Sequence, residues 1–191
     1  TYKYDLSRFV TWNKKSCFPS NLSIVPISNW LADCARKSAI FANHRIDVIF
    51  NNVDTNSFDV CDKKISRELL GIPSEKKIIL VGAQSVSSFY KGFDLFLNCL
   101  NYIRSKNVFI CVFGRFDNSM LSNLKFPAMS MGFVTDTLRM KLIYSASDVF
   151  VAPSRQEAFG KTLVESLACG TPVVCFDATG PSDIVLHRET G

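Results

Sequence analysis

Hydrophobic positions in this chain fall into two patterns that alternate along the sequence. Continuous apolar runs bounded by turn residues predict buried strands, at positions 77–82, 108–114, 129–133, 148–152 and 172–176. Between these runs, apolar residues recur every three to four positions and predict amphipathic helices, at positions 65–70, 92–105, 135–146 and from 160–162 to just before Gly170. Because strands alternate with helices, the pattern predicts an α/β fold with a doubly wound, Rossmann-like parallel sheet, which binds ligands at the carboxyl ends of its strands.

The first fifty or so residues have a weaker pattern. Their predicted elements are a strand at 22–26, a helix at 30–41 capped by Ser28 or Asn29, and a strand at 47–50. Residues 1–21 place Trp12 among basic side chains. Such a mixture is typical of a surface helix with one apolar side; an interfacial membrane patch or a loop facing an acceptor is the alternative.

Candidate chemistry is concentrated in residues 153–174, PSRQEAFGKTLVESLACGTPVV, which set Glu157 and Glu165 on either side of a helix start. Backbone N–H groups and the helix dipole at such a start attract phosphate oxygens, and Gly160 lets an anion approach closely. Glu165 lies one to two turns into the helix and leans back towards its start, where a carboxylate suits the hydroxyls of a ribose. Glu157 could accept from a second sugar, so that the pattern describes a nucleotide sugar. The alternative is that both acids are ordinary caps or dipole partners.

This stretch resembles the signature of retaining glycosyltransferases of the GT-B fold, family 4. The shared pattern is Pro-Ser, Glu, Phe-Gly, a second Glu and Ala-x-Gly-x-Pro-Val-Val. The segment NNVDTNSF at 51–58 resembles the family's interdomain segment, with Asn52 in a glycine position. The resemblance implies that residues 1–52 are a remnant of the acceptor-binding N-terminal domain with its linker, and that residues 53–191 are an incomplete nucleotide-sugar-binding domain. We therefore expect a GT-B chain truncated at both ends.

The resemblance also assigns site residues. It implies that Glu157 is the catalytic residue that positions the sugar, and that Lys91 binds the donor diphosphate. Ala83 stands where the family has an arginine, so either the diphosphate is bound differently, or Arg115 compensates, or affinity is weak. The complete set of implied donor-binding residues is Lys91, Arg115, Gly132, Phe133, Val134, Phe159, Gly160, Lys161, Thr162 and Glu165. The sequence has no Asp-x-Asp motif, so we expect neither a metal nor another cofactor, and a UDP- or GDP-sugar as substrate.

Composition narrows the partners and the compartment. The net charge of +5 weakly favours anionic partners, but the basic residues are scattered and form no RNA-binding motif, so nucleic acid is not expected. The seven cysteines include no Cys-x-x-Cys pair, which argues against a disulfide framework or structural zinc. We expect reduced thiols in the core at Cys99, Cys111, Cys169 and Cys175. We also expect a cytoplasmic protein, with the inner face of the membrane as an alternative location. No apolar stretch approaches the ~20 residues of a membrane helix.

These inferences predict a transferase that moves a sugar from a nucleotide-diphosphate donor to an acceptor hydroxyl with retention of configuration. The acceptor would be a glycan or glycolipid, with peripheral membrane contact through the N-terminal domain. We expect this chain to carry the donor-binding half and to be inactive alone. The alternatives are a non-catalytic nucleotide-sugar-binding module and a sugar-nucleotide epimerase of the same fold.

Overall fold

A computed structural model describes residues 6–117, 119–122 and 124–191. The chain divides into two compact units, Thr1–Asn51 and Asn52–Gly191. The assignment of residues 1–52 to an acceptor domain and of 53–191 to a donor domain stays a prediction. Within the described residues, none of the helices has the length and apolar character needed to cross a membrane.

The first unit contains helices and a small parallel sheet. Its elements are α1 (Ser7–Cys17), β1 (Ser23–Ile24), α2 (Asn29–Arg36) and β2 (Arg45–Ile46). Helix α1 has no buried residue and leaves Trp12 exposed, as a surface helix does. Ser28 caps α2, because the Leu31 N–H donates to its Oγ at 3.2 Å. The strand predicted at 47–50 lies instead at Arg45–Ile46, where it pairs with β1. Beyond it, the N–H groups of Asp47 and Ile49 donate single hydrogen bonds to the carbonyls of Ile24 and Pro26.

The second unit is built on five parallel strands. They are β3 (Lys77–Ser85), β4 (Val108–Arg115), β5 (Ala128–Gly132), β6 (Val149–Ala152) and β7 (Val173–Cys175). Their spatial order is β5-β4-β3-β6-β7, so the chain winds outward from β3 in one direction and then returns to continue from its other side. The reversal between β3 and β6 is the point at which doubly wound sheets bind ligands. This arrangement confirms the predicted α/β fold.

Helices cover both faces of this sheet. They are α3 (Lys63–Leu70), α4 (Phe93–Leu100), α5 (Ser119–Ser122), α6 (Thr137–Ala146) and α7 (Lys161–Ala168). Successive side chains of a strand point to opposite faces, and the core accordingly has two parts. Leu80 packs with Ile143 and Leu163 on the α6 and α7 side, while Val81 packs with Phe96 on the α4 side. Strand β4 is buried on both faces. A strand of this kind has a continuous apolar sequence, which is why the sequence predicted it.

Two expectations about α4 were wrong. The helix ends at Leu100 rather than near residue 105. The N–H groups of Asn101, Tyr102 and Ile103 each donate to the carbonyl three residues earlier, so the last turn tightens and the helix does not continue. Cys99, expected in the core, is exposed, whereas Cys111 and Cys169 are buried and Cys175 is half-buried.

Candidate functional site

A cleft of about 430 Å³ opens at the carboxyl ends of the central strands. Its floor comes from the ends of β3 and β4 and its walls from the segment after β5, from α6 and from the start of α7. The lining residues are Phe58, Ala83, Gln84, Phe113, Gly114, Phe133, Val134, Thr135, Asp136, Thr137, Met140, Tyr144, Lys161, Thr162 and Glu165. The cleft therefore lies where the sheet topology places a ligand.

The first turn of α7 forms one wall. Gly160 precedes the helix with a φ of 111°, a conformation that favours glycine. This bend turns the chain from the loop after β6 into the helix, and Lys161 and Thr162 of the first turn line the cleft. The amide groups and the dipole of a helix start provide a favourable environment for an anion at this wall.

Glu165 reaches the same cleft from the next turn of α7. Its carboxylate Oε2 accepts a hydrogen bond of 3.1 Å from the Tyr144 hydroxyl. Burial raises the pKa of Glu165 above its ordinary value, while the Tyr144 hydroxyl and the charge of Lys161 oppose that rise. Burial and the neighbouring Glu165 raise the pKa of Tyr144 well above its ordinary value, so the phenol stays protonated and remains a donor. The pair thus places a carboxylate acceptor against the cleft.

A smaller cavity of about 230 Å³ adjoins the cleft. It shares Phe58, Lys161 and Glu165 with the cleft and is otherwise lined by the segment 52–54 and by Val164. Glu165 consequently faces two connected spaces, one towards the strand ends and one towards the segment after Asn52.

The opposite wall carries an aromatic ring. Phe133, directly after β5, is 43% exposed, and the Arg115 guanidinium lies 4.1 Å from its ring centroid. A guanidinium over an aromatic face is attracted by the ring quadrupole. The Arg115 guanidinium therefore covers one face of the Phe133 ring. Phe133 and Val134 line the cleft.

Lys91 and Glu157 form an ion pair although they are far apart in the sequence. Lys91 ends the 3-10 turn Phe89–Lys91 after β3, and Glu157 lies in the loop after β6. Both side chains are mostly buried. The Gly180 N–H donates to the Glu157 carbonyl at 2.9 Å, which ties the loop to the segment that follows β7. A carboxylate and an ammonium group are thus held together beside the central strands.

Arg155 connects the same two loops. Its Nη1 and Nη2 donate to the two carboxylate oxygens of Asp94 at 2.7 and 2.5 Å, and its guanidinium lies 4.2 Å from the ring centroid of Phe89. The Arg155 N–H also donates to the carbonyl of Tyr90 at 2.8 Å. Two-pronged pairing of this kind fixes orientation as well as distance. The turn that carries Lys91 is therefore fastened to the loop that carries Glu157.

Comparison with known proteins identifies the family. The family model described as glycosyl transferases group 1 matches residues 75–191, which is more than half of the chain and includes all five strands of the second unit. The chain belongs to the group 1 glycosyltransferases. A curated relative, the D-inositol 3-phosphate glycosyltransferase of Segniliparus rotundus, is 33% identical over 161 residues; the match covers 77% of this chain and 35% of that protein.

Solved glycosyltransferase structures share the fold. Sucrose-phosphate synthase from Thermosynechococcus elongatus matches with a TM-score of 0.80 and 20% identity, over 100% of this chain and 50% of that one. Anabaena Alr3699/HepE, solved in complex with UDP and glucose, matches with a TM-score of 0.75 and 20% identity, over 96% and 52%. This group 1 glycosyltransferase chain thus spans about half the length of these structures and resembles GT-B proteins throughout.

The residues predicted to bind the donor occupy three places in this glycosyltransferase. Those that line the cleft are Phe133, Val134, Lys161, Thr162 and Glu165. Lys91 and Glu157 pair with each other and lie outside that lining, while Arg115 stacks on Phe133. Gly132 ends β5, and Gly160 and Phe159 are buried at the turn into α7. The individual roles of these residues stay predictions.

Sequence reasoning missed two functional candidates, Tyr144 and Asp94. Tyr144 occupies a helical apolar stripe and has the pattern of an ordinary core residue. Asp94 follows Lys91-Gly92 in the first turn of α4, where an acid is ordinarily a dipole partner. Among the described residues, no three His, Cys, Asp or Glu side chains come together as a metal site requires.

Proposed function

We propose that this chain is the donor-binding half of a retaining glycosyltransferase. The enzyme moves a sugar from a UDP- or GDP-linked donor to a hydroxyl of a glycan or glycolipid acceptor. The observation that carries the proposal is the cleft at the strand ends, where the start of α7, Glu165 and Phe133 face a common space. A phosphate-favouring helix start, a hydroxyl acceptor and an aromatic ring correspond to the three parts of a nucleotide.

The diphosphate rests against the first turn of α7. The amides of this turn and the helix dipole favour its charge, and Lys91 adds a cation from the turn after β3. Charge that develops on the departing nucleotide is neutralised by these groups without a metal or another cofactor. In the free protein Lys91 is paired with Glu157, so donor binding replaces part of that ion pair with contacts to phosphate.

Glu157 then faces the sugar. Its carbonyl accepts from Gly180 and its N–H donates to Thr179 Oγ1 at 3.3 Å, which limits the movement of the loop. Arg155 restrains the same loop through Asp94. A fixed carboxylate orients the sugar hydroxyls and thereby the anomeric carbon, which is the positioning that transfer with retention requires. HepE, which has the same fold, was solved with UDP and glucose, and that supports a nucleotide sugar as the ligand.

The test is nucleotide binding by isothermal calorimetry with UDP, GDP and ADP, on the wild type and on Glu165→Ala. We expect UDP or GDP to bind more tightly than ADP, and we expect about tenfold or greater loss in the variant, because a hydrogen bond to a charged group is removed. Glu68→Ala is the matched control, since Glu68 is an exposed glutamate on α3. Binding of neither UDP nor GDP, or equal affinity in Glu165→Ala, would contradict the proposal.

A second candidate is a non-catalytic nucleotide-sugar-binding module. The observation that favours it is Ala83, which lines the cleft with a neutral methyl group where the resemblance leads us to expect an arginine. The full-length protein separates the two candidates in an assay of donor hydrolysis and transfer. Release of sugar from a UDP- or GDP-sugar, with the anomer identified by NMR, supports the enzyme. Nucleotide binding without any release supports the module.

A further inference from the structure

Tyr144 occupies an unusual position for a core residue. Its side chain is 0% exposed, yet its hydroxyl lies at the boundary of the cleft and donates to Glu165 at 3.1 Å. A buried hydroxyl requires a hydrogen-bond partner, and a neutral acceptor would satisfy that requirement without placing a carboxylate in a partly apolar surrounding. The partner is instead the carboxylate proposed to bind the ribose.

Surrounding contacts fix the tyrosine hydroxyl in place. Three rings surround the phenol, those of Phe58, Phe113 and Phe150, with centroid distances of 6.4, 6.2 and 5.8 Å. The Tyr144 carbonyl accepts from Thr171 Oγ1 at 2.7 Å, which anchors the end of α6 to the turn before β7. Because ring and backbone are both restrained, the hydroxyl presents a fixed donor to Glu165.

The carboxylate of Glu165 is divided between two tasks. The hydrogen bond from Tyr144 is made to Oε2, and an ionised carboxylate has about four acceptor positions on its two oxygens. One position is used by the phenol, and the rest are available to the adjacent hydroxyls of a ribose. The tyrosine thus selects one rotamer of a long side chain that would otherwise lose considerable freedom on binding.

The other charged and titratable groups near Glu165 are few among the described residues. Lys161 on the same helix lowers the pKa of Glu165. Asp54 faces it across the smaller cavity and Asp136 across the cleft. Cys169 lies one turn further along α7, and burial raises the pKa of its thiol to about 12, so it stays neutral. In the part of the chain that the structure describes, the side-chain hydrogen bond to the Glu165 carboxylate comes from Tyr144 alone.

We propose that Tyr144 is a positioning residue that orients the carboxylate of Glu165 for the ribose hydroxyls of the donor. This rests on the proposed function. Tyr144 does not touch the donor itself; it acts through the carboxylate. The proposal distinguishes Tyr144 from the neighbouring core aromatics, which have no polar atom that could serve in this way.

The proposal predicts a pH dependence with a definite sign. Burial raises the pKa of Glu165, and the Tyr144 hydroxyl lowers it. Removing the hydroxyl therefore moves that pKa further up. Since the ionised form is the better acceptor for two hydroxyls, nucleotide affinity in Tyr144→Phe begins to fall at a higher pH than in the wild type as the solution is acidified.

The experiment measures the affinity of the full-length protein for UDP, GDP and ADP between pH 4.5 and pH 8. Four variants are compared with the wild type: Tyr144→Phe, Glu165→Ala, the double variant, and Tyr102→Phe as an exposed tyrosine control. We expect Tyr144→Phe to bind about five- to tenfold more weakly at pH 8 and to lose affinity at a higher pH. Glu165→Ala removes both the titration and the acceptor of the Tyr144 hydroxyl, so the Tyr144→Phe change has no further effect in that background. Tyr102→Phe matches the wild type.

Each outcome decides the matter. A Tyr144→Phe profile that coincides with the wild-type profile overturns this inference and leaves the proposed function standing. An equal loss from Tyr144→Phe in the Glu165→Ala background also overturns it, because the tyrosine hydroxyl would then act without the carboxylate. Absence of nucleotide binding by the wild type overturns the proposed function together with this inference. The phenylalanine variant keeps the ring contacts, and near-ultraviolet circular dichroism checks that it folds.

Discussion

At the residue scale, Gly92 is a tightly constrained position beside the site. It follows the 3-10 turn that carries Lys91 and begins α4 with a φ of 65°. A Cβ atom at this position would lie 1.9 Å from the carbonyl oxygen of Pro153. Backbone from the turn after β3 and from the loop after β6 therefore touches directly, and the ion pair of Lys91 with Glu157 depends on that approach.

Gly92→Ala should destabilise the protein far more than Gly71→Ala. Gly71 has a similar φ of 67°, but a Cβ there would meet nothing within 4 Å. Both variants lose about 1–2 kcal/mol from the left-handed backbone, and Gly92→Ala adds a backbone clash that brings the total above about 3 kcal/mol. Urea unfolding measures both. Similar losses in the two variants would show that the loops can separate freely.

At the element scale, a buried arginine fastens α3 to the sheet. Arg67 is 6% exposed and its Nη2 donates to Asp148 Oδ2 at 2.7 Å. Its Nε donates to the Ala146 carbonyl at 2.8 Å, and the Ile78 N–H donates to Asp148 at 2.8 Å. Helix α3, the end of α6 and the starts of β3 and β6 therefore meet at one hydrogen-bonded network, at the opposite end of the strands from the cleft.

Arg67→Met should cost about 3–5 kcal/mol of unfolding free energy, because it leaves a partly buried carboxylate and several carbonyls without their partner. Lys64→Met, at an exposed position of the same helix, should change it little. Denaturant unfolding of both variants provides the measurement, and a loss below about 1 kcal/mol in Arg67→Met would contradict the role given to the network.

The network also has a pH signature. Burial by itself raises the pKa of Asp148, but the Ile78 N–H and the charges of Lys63 and Arg67 outweigh it, and the pKa is lowered below its ordinary value of 3.8. The stability from Asp148 is therefore present above pH 3.8 and is lost as the pH falls through the lowered folded-state pKa. In Arg67→Met, the decrease in the free energy of unfolding on acidification should therefore be smaller than in the wild type, as measured by denaturant unfolding at several pH values.

At the scale of the whole molecule, the cleft belongs entirely to the unit Asn52–Gly191. Its walls come from segments that are distant in sequence and adjacent only when the sheet has formed. A ligand that occupies the cleft consequently binds the folded state and not the unfolded chain, and it shifts the unfolding equilibrium by mass action.

The nucleotide that binds should therefore raise the melting temperature. At ten times its Kd, it adds about 1.4 kcal/mol, which corresponds to about 4 °C for a unit of this size. Differential scanning calorimetry with each nucleotide measures the shift. With tenfold weaker binding, Glu165→Ala should show a shift of only about 1 °C at the same concentration, and an undiminished shift in that variant would place the bound nucleotide outside the cleft.

The amino-acid sequence by itself determined the alternation of strands and helices, the parallel sheet and the bounds of most elements in the second unit. These features depend on which side chains of each local segment are buried, and the spacing of apolar residues reports that burial. The stretch around Glu157 and Glu165 was informative for the same reason, since a strand, a glycine turn and a helix start follow one another in a short span.

Only the tertiary structure decided which side chains meet. Lys91 reaches Glu157 and Arg155 reaches Asp94 because β6 returns to lie beside β3. Tyr144 reaches Glu165 because α6 and α7 pack side by side on one face of the sheet. That strand order leaves no local pattern in the chain. The early end of α4 and the exposure of Cys99 could not be predicted from the sequence either. The spacing of apolar residues on a helix shows which face is apolar, but it does not show how far the sheet beneath the helix extends.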